Sequence, residues 1–190
     1  MGTVDFEGIL TKKHHYWRNM IILLVVAAVI GSFFLTDQLT PTNQKELMME
    51  FAQESVKEEY QPEFLEPEQI VNALGETIYT ASWKYGSLPF YANLKYLDNR
   101  EDPDLVIIIH FPRIENLESE RTLAIVNSFF KTEAEDLDCL EGSIGKACEK
   151  VWFEEESKKS IGIYNIFGAE NSVIYISKMA PSSKSIVAYM

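Results

Sequence analysis

Residues 20–35 form an uninterrupted apolar run, MIILLVVAAVIGSFFL, set between the cationic stretch 12–18 (KKHHYWR) and a long acidic remainder. At about 1.5 Å rise per residue the run covers roughly 24 Å, and with residues 16–19 at an interface it reaches about 30 Å, one hydrocarbon core. A core helix would normally carry a polar face, whereas this run carries no charge and begins beside Trp17 and Arg18. A cleaved signal peptide would end in a small-x-small site. Ala28-Val29-Ile30 fails at its last position and Ile30-Gly31-Ser32 at its first, and Phe33, Phe34 and Leu35 carry the run past the point of cleavage. The segment therefore reads as an uncleaved signal-anchor over residues 16–36, with cleavage as the alternative.

Lys and Arg stay on the cytoplasmic side of short loops. Lys12, Lys13 and Arg18 precede the span, and the first charged residues after it are Asp37, Lys45 and Glu46. The tail 1–15 is thus expected inside the cell and the rest of the chain outside it. Of 17 basic and 29 acidic residues, three and two precede the span, which leaves 14 against 27 beyond it. A domain so acidic repels phosphate backbones and anionic lipid heads, so nucleic acid is not expected as a partner. Cations, basic peptides and basic faces of other subunits remain compatible with it.

Cys139 and Cys148 are the only cysteines, and the loop between them holds two glycines. In an oxidising compartment a disulfide is the expected fate of such a pair, and closing so short a loop contributes about 2–3 kcal/mol. The spacing does not suit a CxxC redox centre, and two thiols without neighbouring histidines do not suit zinc.

Beyond the anchor, residues 37–66 read as a helical stalk. Pro41 fits a helix start, Asn43 and Glu46 resemble a capping pair, and Leu47, Met48, Phe51, Ala52, Val56 and Tyr60 recur at helical spacing. A second helix is expected from Pro67, with Ile70, Val71, Leu74, Ile78, Ala81 and Tyr85 inward and Gly86 ending it. The pattern then changes to period two at Phe90, Ala92, Leu94 and Tyr96. The β-branched run 105–111 reads as a central strand covered on both faces. Ser119 looks like the cap of a helix reaching Lys131, and three short strands fit residues 150–154, 161–167 and 173–177, with a short terminal helix after Ser182. This order describes an α+β, or mixed α/β, extracytoplasmic domain over residues 67–190, standing on a single N-terminal transmembrane helix with a helical stalk. The sequence shows no internal repeat.

Chemical motifs are sparse. His14 and His15 flank the span, which leaves His110 as the histidine available outside, at the end of the expected central strand and just before Arg113, Glu115, Glu118 and Glu120. A general base there needs an orienting carboxylate, and Glu115 and Glu118 are the candidates. Ser87 suggests a Ser/Lys dyad as a weaker possibility. No Gly-x-Ser-x-Gly elbow, P-loop, HExxH or EF-hand pattern occurs. The carboxylate clusters 133–138 and 154–156 lack the spacing of a defined calcium loop and read as solvated faces. No cofactor and no metal are expected. The expected function is a single-pass, membrane-anchored, non-enzymatic protein that binds a protein partner or its own copies, as an accessory or envelope assembly component. The alternatives are a membrane-tethered hydrolase built on His110 with Glu115 or Glu118, and a solute-sensing module.

Overall fold

Period-two alternation, more than helical spacing, decides the architecture. In the computed structural model, which describes residues 41–72, 74–97, 103–132, 134–183 and 186–189, the first described element is helix α1, Pro41–Ser55. Four strands follow: β1 Glu68–Val71, β2 Thr77–Tyr85, β3 Leu88–Lys95 and β4 Asp104–Pro112. Helix α2, Ser119–Phe129, leads to four more: β5 Asp138–Glu141, β6 Gly145–Phe153, β7 Lys158–Ile166 and β8 Asn171–Met179. A 3-10 turn, Ile186–Tyr189, closes the described chain. The eight strands make one sheet in the order β1-β2-β3-β4-β8-β7-β6-β5, and every pairing is antiparallel.

This overturns the expected α+β domain with a helical stalk. Residues 68–85, expected as a helix, are the hairpin β1-β2. Their Thr77, Ile78, Tyr79, Thr80, Trp83 and Tyr85 are β-formers, and a turn splits them: Asn72 Oδ1 accepts from the amides of Leu74 and Glu76, and Gly75 takes φ +79°. Helix α1 is no stalk either, because its Met48, Phe51 and Ala52 are buried in the same core as the sheet. The expected anchor, residues 16–36, and the tail 1–15 lie outside the described residues. Among those described, no helix is long and apolar enough to cross a membrane.

Alternation along each strand separates two buried layers. Phe90, Ala92, Leu94, Ile107, Ile109, Ile161, Ile163 and Ile174 face the helices and meet Met48, Phe51, Val126 and Phe129. Val106, Ile108, Tyr164, Val173 and Tyr175 face the other way, where Tyr189 and Ile186 join them. The run 105–109 is therefore covered on both faces, as its unbroken apolar character requires.

The topology contains a repeat that the sequence does not show. Each half is a helix followed by a four-stranded meander, and the halves join antiparallel along β4 and β8. The helix ends repeat the relation locally: Val56 bridges Phe130, Lys57 N–H donates to Phe129 O, and Lys131 N–H donates to Ser55 O, at 2.9 and 2.8 Å. Cys139 and Cys148 stand directly opposite each other on β5 and β6 and are joined as a disulfide, as expected.

Candidate interaction site

The residues of the alternative hydrolase reading, His110, Glu115 and Glu118, are not brought together. His110 follows the helix-facing Ile109 and precedes Phe111, whose ring lies 5.9 Å from Phe129, so its imidazole projects from the opposite face, 5.2 Å from the ring of Tyr91. Glu115 lies on the helix side, in a groove of about 660 Å³ with Phe111, Ile114, Arg121 and Ile125. Glu118 is exposed at the N-cap of α2, where its carbonyl accepts from Thr122 N–H at 2.8 Å. The sheet thus separates the histidine from the groove that holds Glu115. Ser87 is exposed at the β2-β3 turn. Ser119 does not cap α2: its hydroxyl donates to Leu137 O at 2.7 Å and accepts from Leu137 N–H.

Other polar groups are committed to holding elements together. Arg113 Nη1 donates to Ile166 O and Ala169 O at 3.1 and 2.6 Å, and Asn165, Ser172 and Ile114 form a buried chain beside it. These bonds fix the β4-α2 connection, and with it the groove, against the β7-β8 hairpin. Lys150 pairs with Asp136, and Lys159 with Glu154. Among the described residues, no group of three or more His, Cys, Asp or Glu side chains is placed to hold a metal ion.

Asp104, at the start of β4, is the centre of a network. Asp104, 1 % exposed, accepts from Ala180 N–H, Ser183 Oγ and Tyr189 Oη at 2.5–2.6 Å. Asn93 Nδ2 donates to Tyr189 O, and Lys158 Nζ to Ser183 O. Together they strap the C-terminal segment over the face opposite the helices. Burial, reinforced by Asp104, raises the Tyr189 phenol above its ordinary value. On the same face Tyr175 lies across Gly162 on the neighbouring strand and donates to Glu149; burial first and Glu149 second hold its phenol well above the ordinary value.

What the domain leaves open is its border. Among the described residues β1 and β5 are the two ends of the sheet, each pairing on one side only. Beside β1, Phe64, Ile70, Val71 and Leu74 are 62, 39, 68 and 68 % exposed. Ile70, Val71 and Leu74, expected on the inner face of a helix, instead lie at the sheet's edge, and the density of β-formers that follows them is the signal for strand. Leu140 beside β5, and Ile144 and Phe167 at the adjoining hairpin tips, are exposed as well. Large apolar side chains beside unpaired backbone N–H and C=O groups make a template for another chain. Comparison of the chain with protein-family models, with curated proteins and with solved structures finds no match.

Proposed function

We propose that this chain is a single-pass, membrane-anchored protein whose extracytoplasmic domain works by docking a partner protein, as an accessory or assembly component and not as an enzyme. The apolar run 20–35 with its basic flank supports the anchor and its orientation, and the disulfide suits an oxidising compartment. The observation that carries the docking reading is the pair of sheet ends, unpaired among the described residues and flanked by exposed Phe64, Val71, Leu74 and Leu140. A domain with no partner gains nothing from leaving such side chains in water beside open backbone groups.

The test is extraction of the full-length protein from its native membrane in mild detergent, followed by sizing and mass spectrometry of what co-purifies. A stoichiometric partner, or a homo-oligomer, is the expected result. A lone monomer at every detergent and salt condition refutes the reading. Orientation is checked separately by protease protection in sealed vesicles, with the C-terminal domain expected on the extracytoplasmic side.

A further inference from the structure

The border at β1 has a direction. Its leading part is acidic, with Glu63, Glu66 and Glu68, and its trailing part is apolar, with the exposed Ile70, Val71 and Leu74. Between Lys57 and Lys84 the chain has six acidic residues and no basic one. Of those six, Glu76 is already taken by Lys95 at 2.6 Å, while Glu63, Glu66 and Glu68 have no ion pair among the described residues. Among the described residues the outer backbone groups of Glu68–Val71 have no strand beside them. Pro67 limits backbone pairing at the start, because proline offers no N–H, so the glutamates before it are met by side chains alone.

We infer that the outer side of β1 receives an extended segment of a partner protein, antiparallel to it, in which large apolar residues come first and basic residues follow. The inference rests on the docking reading and says where the partner sits and what it carries. Antiparallel addition continues the pairing used throughout the sheet. It sets the partner's leading residues beside Val71 and Ile70 and its trailing Lys or Arg beside Glu68 and Glu66, so apolar area and charge are satisfied by one segment. A second copy of this chain does not fit. Its β1, laid antiparallel, would place each acidic part along the other's apolar part and satisfy neither. The opposite border fits less well, because Asp138 and Glu141 bracket β5 at both ends and give it no such gradient.

The probe is a labelled peptide, Val-Ile-Thr-Lys-Thr-Lys, titrated into the full chain in neutral detergent. Anisotropy reads its affinity, and hydrogen–deuterium exchange reads protection of the amides of Glu68–Val71. The expected result is saturable binding with protection confined to β1. Binding is expected to weaken at least tenfold for the reversed-order peptide of identical composition, for the peptide N-methylated at alternate amides, and for the Val71→Lys variant. Val71 is exposed, so that variant folds, which an unchanged melting temperature verifies. Glu66→Lys with Glu68→Lys is expected to transfer preference to the peptide with glutamates in place of lysines. Equal affinity for both peptide orders, indifference to N-methylation, or indifference to Val71→Lys overturns the inference. A parallel extraction separates the two levels. A partner kept by Val71→Lys removes the β1 assignment and leaves the docking reading standing, whereas no partner on the wild-type chain removes the docking reading itself.

Discussion

Replacing Asp104 with Ala should be among the most damaging single changes available in the described domain. The carboxylate is 1 % exposed and accepts three hydrogen bonds, from Ala180 N–H, Ser183 Oγ and Tyr189 Oη. Hydrogen bonds to an ionised acceptor contribute about 1.5–3 kcal/mol each, a gross loss of roughly 4–9 kcal/mol. Against this stands the relief of no longer burying a carboxylate, which recovers several kcal/mol. The Ala180 amide and the Tyr189 hydroxyl, left buried without an acceptor, account for most of that gross loss and add nothing to it. The net expectation is about 3–4 kcal/mol of destabilisation. With a urea dependence of about 2 kcal/mol/M, the unfolding midpoint of the full chain in mild detergent falls by roughly 1.5–2 M. Tyr189→Phe removes one donor and should cost about 1–2 kcal/mol. The two changes should couple in a double-mutant cycle by a similar amount. Limited proteolysis should cut after Ala180 in the Asp104→Ala protein before the rest of the domain opens. A midpoint within about 0.3 M of wild type, or no coupling to Tyr189→Phe, refutes the assignment of Asp104 as the clasp of the C-terminal segment.

Three further outcomes follow from the packing. Thiol titration of native, unreduced protein should find no free thiol, and Cys139→Ser with Cys148→Ser should lower stability by about 2–3 kcal/mol in urea melts. Gly162→Ala should destabilise strongly, because a Cβ there would lie 2.4 Å from Cys148 O and 2.9 Å from Glu149 Cα; Gly168→Ala, with open space around it and φ +79°, should cost only about 1 kcal/mol in the same urea melts. Tyr175 and Tyr189 hold their protons more tightly folded than unfolded. Above pH 10 the unfolded chain releases those protons and the folded one retains them, so stability should fall by about 1.4 kcal/mol per pH unit for each tyrosine. Tyr175→Phe with Tyr189→Phe should flatten that slope in urea melts between pH 10 and 12; an unchanged slope removes the explanation.

The features legible in the sequence were those fixed by local pattern. The strand through residues 105–111 and helix α2 were read from apolar runs and spacing, and the cysteine pair was read from loop length. The last two strands were read near their true places. The segment 68–85 was not, because Ile70, Leu74, Ile78, Ala81 and Tyr85 fall at helical intervals by coincidence while the backbone follows its β-branched and aromatic neighbours. The repeat is hidden because the matching stretch is short: Val106-Ile107-Ile108-Ile109 of β4 corresponds to Val173-Ile174-Tyr175-Ile176 of β8, and so brief an apolar run suits any strand covered on both faces. The Asp104 network was illegible for another reason. Its partners lie between 76 and 85 residues away in sequence, and no local signal anticipates a contact at that separation. The border beside β1 was hidden by the same helix assignment, since the exposed Val71 and Leu74 were counted as core.

Among the described residues six of the seven ladders join strands that are consecutive in the chain, and only the eight-residue seam between β4 and β8 joins distant ones. Each meander can therefore assemble quickly from neighbouring segments, while closure of the seam must wait for both. During that interval the side of β4 destined for β8 is itself an unpaired edge carrying five successive apolar residues, 105–109, the segment of the domain most inclined to pair with another chain. The hazard of misassembly is thus concentrated in one brief kinetic step, and changes that slow seam closure should raise aggregation during refolding even where they leave the finished domain equally stable.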